Sequence, residues 1–167
     1  IIMLQMLKTP LAEEAANYIN EEKEVLTVED AIAGAKDIIA EMISDDADYR
    51  AKIRDLTMKK GRLISTAKDK EAESVYEMYY EYDEALAKVA GHRTLAINRG
   101  ENEKVLTVKI EAPVEDIIAY LEKKIIVHDN TECAVAIKEA IADAYDRLIA
   151  PSIEREMRNA LTDKASV

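Results

Sequence analysis

Residues 27–61 read TVEDAIAGAKDIIAEMISDDADYRAKIRDLTMKKG, and the spacing of their apolar side chains predicts two consecutive amphipathic helices. Ile32, Ala35, Ile39 and Met42 recur at helical intervals, flanked by Ala31, Ile38 and Ile43. Thr27 supplies a capping hydroxyl, and Glu29 and Asp30 fall in the first turn, where the positive end of the helix dipole favours carboxylates. So wide an apolar arc predicts deep burial of the first helix. Gly34 inside it costs roughly 1 kcal/mol relative to alanine, which a close helix crossing would account for. Ser44, Asp45 and Asp46 end the first helix and cap the second. The second carries Tyr49, Ile53 and Leu56 on one face and stops at Gly61, in the position of a C′ glycine.

The same pattern continues on both sides. Thr9-Pro10 predicts a helix start, a hydroxyl followed by proline at the first helical position, with Leu11, Ala15, Tyr18 and Ile19 as its buried side. Asn20 to Glu24 is a polar connection. Glu71 to Tyr82 reads as a helix carrying the tyrosine cluster Tyr76, Tyr79, Tyr80 and Tyr82. A short helix from Asp83 to Val89 ends at Gly91, and another from His92 to Arg99 is stopped by Gly100. Pro113 opens a helix that buries Ile117, Ile118, Leu121 and Ile125. Asp129 to Thr131 separates it from a long helix running from Val135 to Ile149, and Pro151 stands at the first position of a last one.

Two stretches break the helical period. In Val105–Ile110, Leu106, Val108 and Ile110 alternate with Val105, Thr107 and Lys109, a strand signal. A lone strand is not stable, and Leu63–Thr66 is its best internal partner. The fold class that follows is all-α, a multihelical bundle with at most one or two short strands, Leu63–Thr66 and Val105–Ile110. The 167 residues form one helical fragment, with a possible subdivision near residues 111–113. Neither a fixed repeat nor a Gly-, Ser- or Pro-rich linker divides it.

Composition narrows the function. The net charge is −11, with one cysteine, three prolines and neither tryptophan nor phenylalanine. Duplex binding depends on lysine and arginine neutralising phosphates, so a nucleic-acid surface spread over this chain is disfavoured. Cys133 alone fits a reducing cytosol. The opening IIMLQM is too short for a membrane span, and with the chain's closing ALTDKASV it suggests a piece cut from a longer protein.

Beyond periodicity, AIAGAKDIIAEMISDDADYRAKIRD resembles the GA-DIIAE-ISDDA--R--IR run of the bacterial Tex family of transcription accessory proteins. HRTLAINRGENEKVL is similar to that family's HR-LA--RGE-E-VL. The two runs stand in the right order and separation, and the likeness covers most of the chain. The resemblance implies a cytoplasmic, multi-domain nucleic-acid-binding protein linked to transcription and RNA metabolism. It implies an RNase-H-like domain, a helix-hairpin-helix module and a C-terminal OB-fold beyond this helical N-terminal segment. RNA or DNA would then be bound through the full-length protein, and this segment would be an architectural scaffold without catalysis. The alternative is an interaction module for a transcription or ribosomal protein.

Lys59, Lys60, Arg62, Lys68 and Lys70 form the one basic stretch and could contact phosphates, with tyrosines nearby to stack on bases. Arg93 and Arg99 of the second run are assigned to ion pairs with acids such as Asp45, Asp46 or Glu101, for which the planar guanidinium is suited. His92, His128 and Cys133 fall short of the ligand count of a closed zinc site. Asp45, Asp46 and Asp48 fit a turn and a helix start better than a magnesium site. With no nucleophile elbow, phosphate loop or dinucleotide fingerprint, no catalytic, metal or cofactor site is expected.

Overall fold

Thr27 caps the helix it precedes. The Asp30 amide donates to Thr27 Oγ1 at 3.1 Å, and Asp30 Oδ2 accepts from the Leu26 amide at 3.2 Å. Asp46 performs the same service for the next helix, its Oδ1 taking the Tyr49 amide at 3.0 Å. The structure, a computed structural model, describes residues 1–5, 10–20, 25–129 and 131–166. The elements are α1 (Leu11–Ala16), α2 (Val28–Asp45), α3 (Ala47–Lys60), β1 (Arg62–Ala67), β2 (Glu81–Ala85), α4 (Gly91–Asn102), β3 (Leu106–Glu111), α5 (Val114–Ile125), α6 (Glu132–Asp143) and α7 (Ala150–Ala165). The chain falls into two compact units, Ile1–Arg50 with Glu115–Ala150, and Ala51–Val114 with Pro151–Val167.

In the first unit, α2 packs on α1, on α6 and on the segment that follows α6. Its buried residues are Ile39, Ala40, Ile43 and Ser44. The expected deep burial holds only for that C-terminal half: Ile38 and Met42 stay more than half exposed. A Cβ on Gly34 would meet nothing within 4 Å, so among the described residues no helix crosses there. Pro10 precedes α1 as its N-cap rather than entering its first turn, and Tyr18 and Ile19 lie beyond the helix and exposed. Thr9 and residues 21–24 of the polar connection lie outside the described residues.

A long-range contact closes the end of α5. Gln5 is buried with φ 57°. Its Nε2 donates to the Ile125 carbonyl at 2.8 Å, and its Oε1 accepts from the Val127 and His128 amides at 2.9 and 3.1 Å. The Ile125 carbonyl is one that a terminating helix leaves unpaired, and the two amides belong to the turn that follows α5. Thr131 caps α6 through the Ala134 amide at 3.0 Å.

Residues Ala144–Ile149, between α6 and α7, adopt π-helical geometry, and Pro151 is the second residue of α7 rather than its first. In α geometry the proline ring would press on the Arg147 carbonyl and withhold a hydrogen bond from it. The wider π turn just before Pro151 shifts that carbonyl out of α register and removes the conflict.

The second unit holds an antiparallel sheet in the order β2-β1-β3. The two anticipated strands do pair, with Leu63 opposite Ile110 and Ala67 opposite Leu106. Leu63, Leu106 and Ile110 are buried on one face. The third strand corrects the expectation of a helix over Glu71–Tyr82 and of another from Asp83 to Val89. Only single 3-10 turns occur there, at Glu77–Tyr79 and Leu86–Lys88, with β2 between them. Tyr82 packs edge-on against Tyr79, with ring centroids 5.4 Å apart. That packing and pairing with β1 outweigh the weak strand preference of Glu-Tyr-Asp-Glu-Ala, because strand propensity is mostly a matter of context. The fold is therefore mostly helical with a small three-stranded sheet.

Two glycines are set by space. Gly100 does not stop α4, which runs on to Asn102; a Cβ on it would lie 2.6 Å from Leu106 Cδ1. Gly61 follows α3, its amide donating to the Thr57 carbonyl at 2.7 Å. Its φ is not positive, so it is no left-handed cap. A Cβ there would overlap the Thr57 carbonyl oxygen and sit 2.9 Å from Leu86 Cδ1.

Candidate nucleic-acid interface

The basic stretch begins in the last turn of α3 and follows β1 into the loop before β2. Between residues 55 and 84 the chain carries eight acidic side chains against five basic ones, and the fold sets them side by side. Lys59 Nζ lies 3.1 Å from Asp55, Arg62 Nε lies 2.5 Å from Asp83, and Lys70 Nζ lies 3.9 Å from Glu81. Lys60 is exposed at the end of α3. Lys68 is exposed as well, and its amide donates to the Val105 carbonyl at 3.0 Å. Exposed pairs of this kind are worth about 0–1 kcal/mol each, but each also cancels charge that a phosphate would need.

The tyrosines are used internally. Tyr76 and Tyr79 are buried, and the Tyr76 hydroxyl donates to Glu103. Tyr80 Oη donates to the Ala72 carbonyl at 2.7 Å and lies 2.8 Å from Ser74 Oγ. Stacking on a base needs a free ring face, and Tyr79 is buried, edge-to-face with Tyr82. Tyr82 in turn donates to Glu84, which also takes two bonds from Arg93 Nη1 at 2.9 and 3.1 Å.

This triad has a measurable signature. Burial first, then the bond to Glu84, pushes the Tyr82 hydroxyl up to about 12, while the Tyr82 bond, then Arg93, holds the Glu84 carboxyl below its usual range. The tyrosine value in the fold lies above its ordinary one near 10. Its contribution to stability is thus fully present below pH 10 and is lost as pH rises through about 12. Denaturant titrations across that window are expected to show a steeper loss for the wild type than for Tyr82→Phe; equal slopes would contradict the triad.

The remaining expected ion-pair residues take separate places. Arg93 meets Glu84, as described. Arg99 sits near the Tyr76 phenol, opposing the rise that the Glu103 bond imposes on it. Asp46 caps α3, and Asp45 is exposed at the end of α2. Glu101 is taken by Arg158 of α7, with Nη2 and Nη1 at 2.6 and 3.2 Å. Arg158 also reaches Asn98 Oδ1 at 2.9 Å, and Asn98 Nδ2 donates to Thr162 Oγ1 at 2.8 Å. Two further α7 residues make contacts of their own: Glu156 pairs with Arg54, and Glu154 accepts the Ile110 amide at 3.0 Å on the outer edge of β3. The sequence does not announce these contacts because their partners are 44 to 102 residues apart. The one available signal was the i, i+4 series Glu154, Arg158, Thr162 on a single helix face.

Among the described residues no group of three His, Cys, Asp or Glu side chains could hold a metal ion, and no helix is long and apolar enough to cross a membrane. His92 lies in α4, Cys133 is buried in α6, and the His128 amide is the one held by Gln5.

A family model described as Tex central region-like matches residues 8–167. The chain is 53% identical over 158 residues to uncharacterized protein YdcI of Bacillus subtilis, an alignment covering 93% of this chain and 22% of that protein. It is 33% identical over 105 residues to protein tex of Bordetella pertussis, covering 60% and 13%. It is 29% identical over 177 residues to human S1 RNA-binding domain-containing protein 1, covering 96% and 18%. The chain thus spans about a fifth or less of the length of these relatives.

Proposed function

The chain belongs to the Tex central region-like family, and from that membership we propose that it is a helical support within a Tex-family transcription accessory protein. It carries no catalysis of its own and holds neighbouring parts of a longer cytoplasmic protein in place. RNA or DNA is gripped by those other parts, in keeping with the S1 RNA-binding domain named in the human relative. The observation that carries this reading is the internal use of the charged and aromatic side chains. Arg62, Lys59 and Lys70 face carboxylates, Arg93 and Arg158 lock α4 to β2 and α7, and the tyrosines bond to their own unit. A surface built for phosphate leaves its cations to the phosphate.

The test uses a longer Tex-family protein that contains this segment. The triple substitution Lys59→Glu, Lys68→Glu, Lys70→Glu is expected to leave RNA affinity within about twofold of wild type and the salt dependence unchanged. If these lysines bound phosphates, the slope of log affinity against log salt would flatten by about three, and the support reading would fail.

A further inference from the structure

An apolar groove of about 710 Å³ runs across the first unit, between α1, α2 and the N-terminal residues. Ile1, Met3, Tyr18, Ile19, Ile38 and Met42 line it, and they remain exposed by 37% (Met3) to 60% (Ile38). Large apolar side chains exposed singly need no explanation, but six converging on one cleft mark an interaction site. Along α2 the lining residues Ala31, Ala35, Ile38 and Met42 recur at intervals of four, three and four, a stripe about 16 Å long at helical rise. Gly34, also in the wall, presents no side chain, which keeps the cleft open at mid-length.

Charge identifies the occupant. α1 and α2 together carry seven acidic side chains and a single basic one, Lys36. Lys36 is already paired with Glu139. Glu14 and Asp30 stand in the groove wall itself. An apolar floor three turns long between acidic flanks matches the helix-in-groove mode of recognition. We propose that this groove binds an amphipathic helix of a protein partner, its apolar stripe on the α2 floor and its lysine or arginine flanks against the acids of α1 and α2. The inference goes beyond the support role and does not depend on where nucleic acid binds; its test involves no nucleic acid, so either reading can fail alone.

The probe is a fluorescein-labelled helical peptide of leucine and lysine, about 14 residues long to cover the stripe, followed by anisotropy against the 167-residue chain. Its counterpart carries glutamate in place of lysine on the same leucine stripe. The lysine peptide is expected to bind at least about tenfold tighter than the glutamate peptide. The double substitution Ile38→Ser, Met42→Ser is expected to weaken it by at least about tenfold. Both side chains are exposed, so circular dichroism and the unfolding midpoint should stay at wild-type values. Val135→Ser, an exposed apolar residue outside the groove, should leave binding unchanged. Equal binding of both peptides, or binding indifferent to the double substitution, would overturn the proposal. So would self-association in sedimentation that the double substitution abolishes, since the groove's occupant would then be a second copy of the chain.

Discussion

Replacing Gly61 by alanine is expected to cost about 3 kcal/mol, the upper end of what forced overpacking does. For a chain of this length that lowers the unfolding midpoint by roughly 6–12 °C. The added methyl would overlap the Thr57 carbonyl oxygen and crowd Leu86 Cδ1 at 2.9 Å. Leu86 is buried and its amide bonds to the Gly61 carbonyl at 3.0 Å, so neither wall can yield without disturbing the α3-to-β1 connection. Gly34→Ala is the matched control. It meets open space within α2, and alanine there is expected to add up to about 1 kcal/mol through helix propensity. A Gly61→Ala protein as stable as wild type would show that the turn is looser than described.

The second large effect is at Gln5. Gln5→Ala removes one donor to the Ile125 carbonyl and the shared acceptor of the Val127 and His128 amides. Leaving a buried polar group unpaired costs about 1–3 kcal/mol; that applies to the Ile125 carbonyl, whereas water reaches the part-buried Val127 and His128 amides, so a net loss of about 2 kcal/mol is expected. Gln5→Gly loses the same bonds but relaxes the left-handed backbone at φ 57°. A residue with a Cβ is held there at about 1–2 kcal/mol, so the glycine variant should be the more stable of the two by about 1 kcal/mol. Chemical denaturation of the two variants measures both quantities. Equal stability of Gln5→Ala and wild type would remove Gln5 as the cap of α5.

What the sequence discloses and what it hides divide along the range of the interaction. Thr27 and Asp46 were legible because a cap and its amide lie three residues apart. The β1–β3 pair was legible because Leu106, Val108 and Ile110 alternate strictly and only Leu63–Thr66 offered a match. β2 was not: Tyr76, Tyr79, Tyr80 and Tyr82 suit a helix by spacing, and only pairing with a strand 15 to 23 residues earlier makes them otherwise. The groove was hidden for a related reason. Ile38 and Met42 belong to an apolar arc wide enough to be counted as core, and periodicity cannot tell which part of an arc lacks a neighbour. Gln5 carries no local signature, its partners in the α5 turn being 120 to 123 residues away, and Arg158, 57 residues from Glu101, carries only the i, i+4 series of its own helix face. As for the basic stretch, Asp55 stands four residues before Lys59 and is plain in the sequence, but Asp83 and Glu81, which face Arg62 and Lys70, come from β2 and emerge only on folding.

The most direct test of the support role is filter binding of single-stranded and duplex RNA to the 167-residue chain over a series of salt concentrations. With a net charge of −11 and with Lys59, Arg62 and Lys70 of its basic stretch facing carboxylates, the chain is expected to show no saturable binding even at low salt. Saturable binding that weakens steeply with salt, and that is abolished by Lys59→Glu, Lys68→Glu, Lys70→Glu, would contradict it.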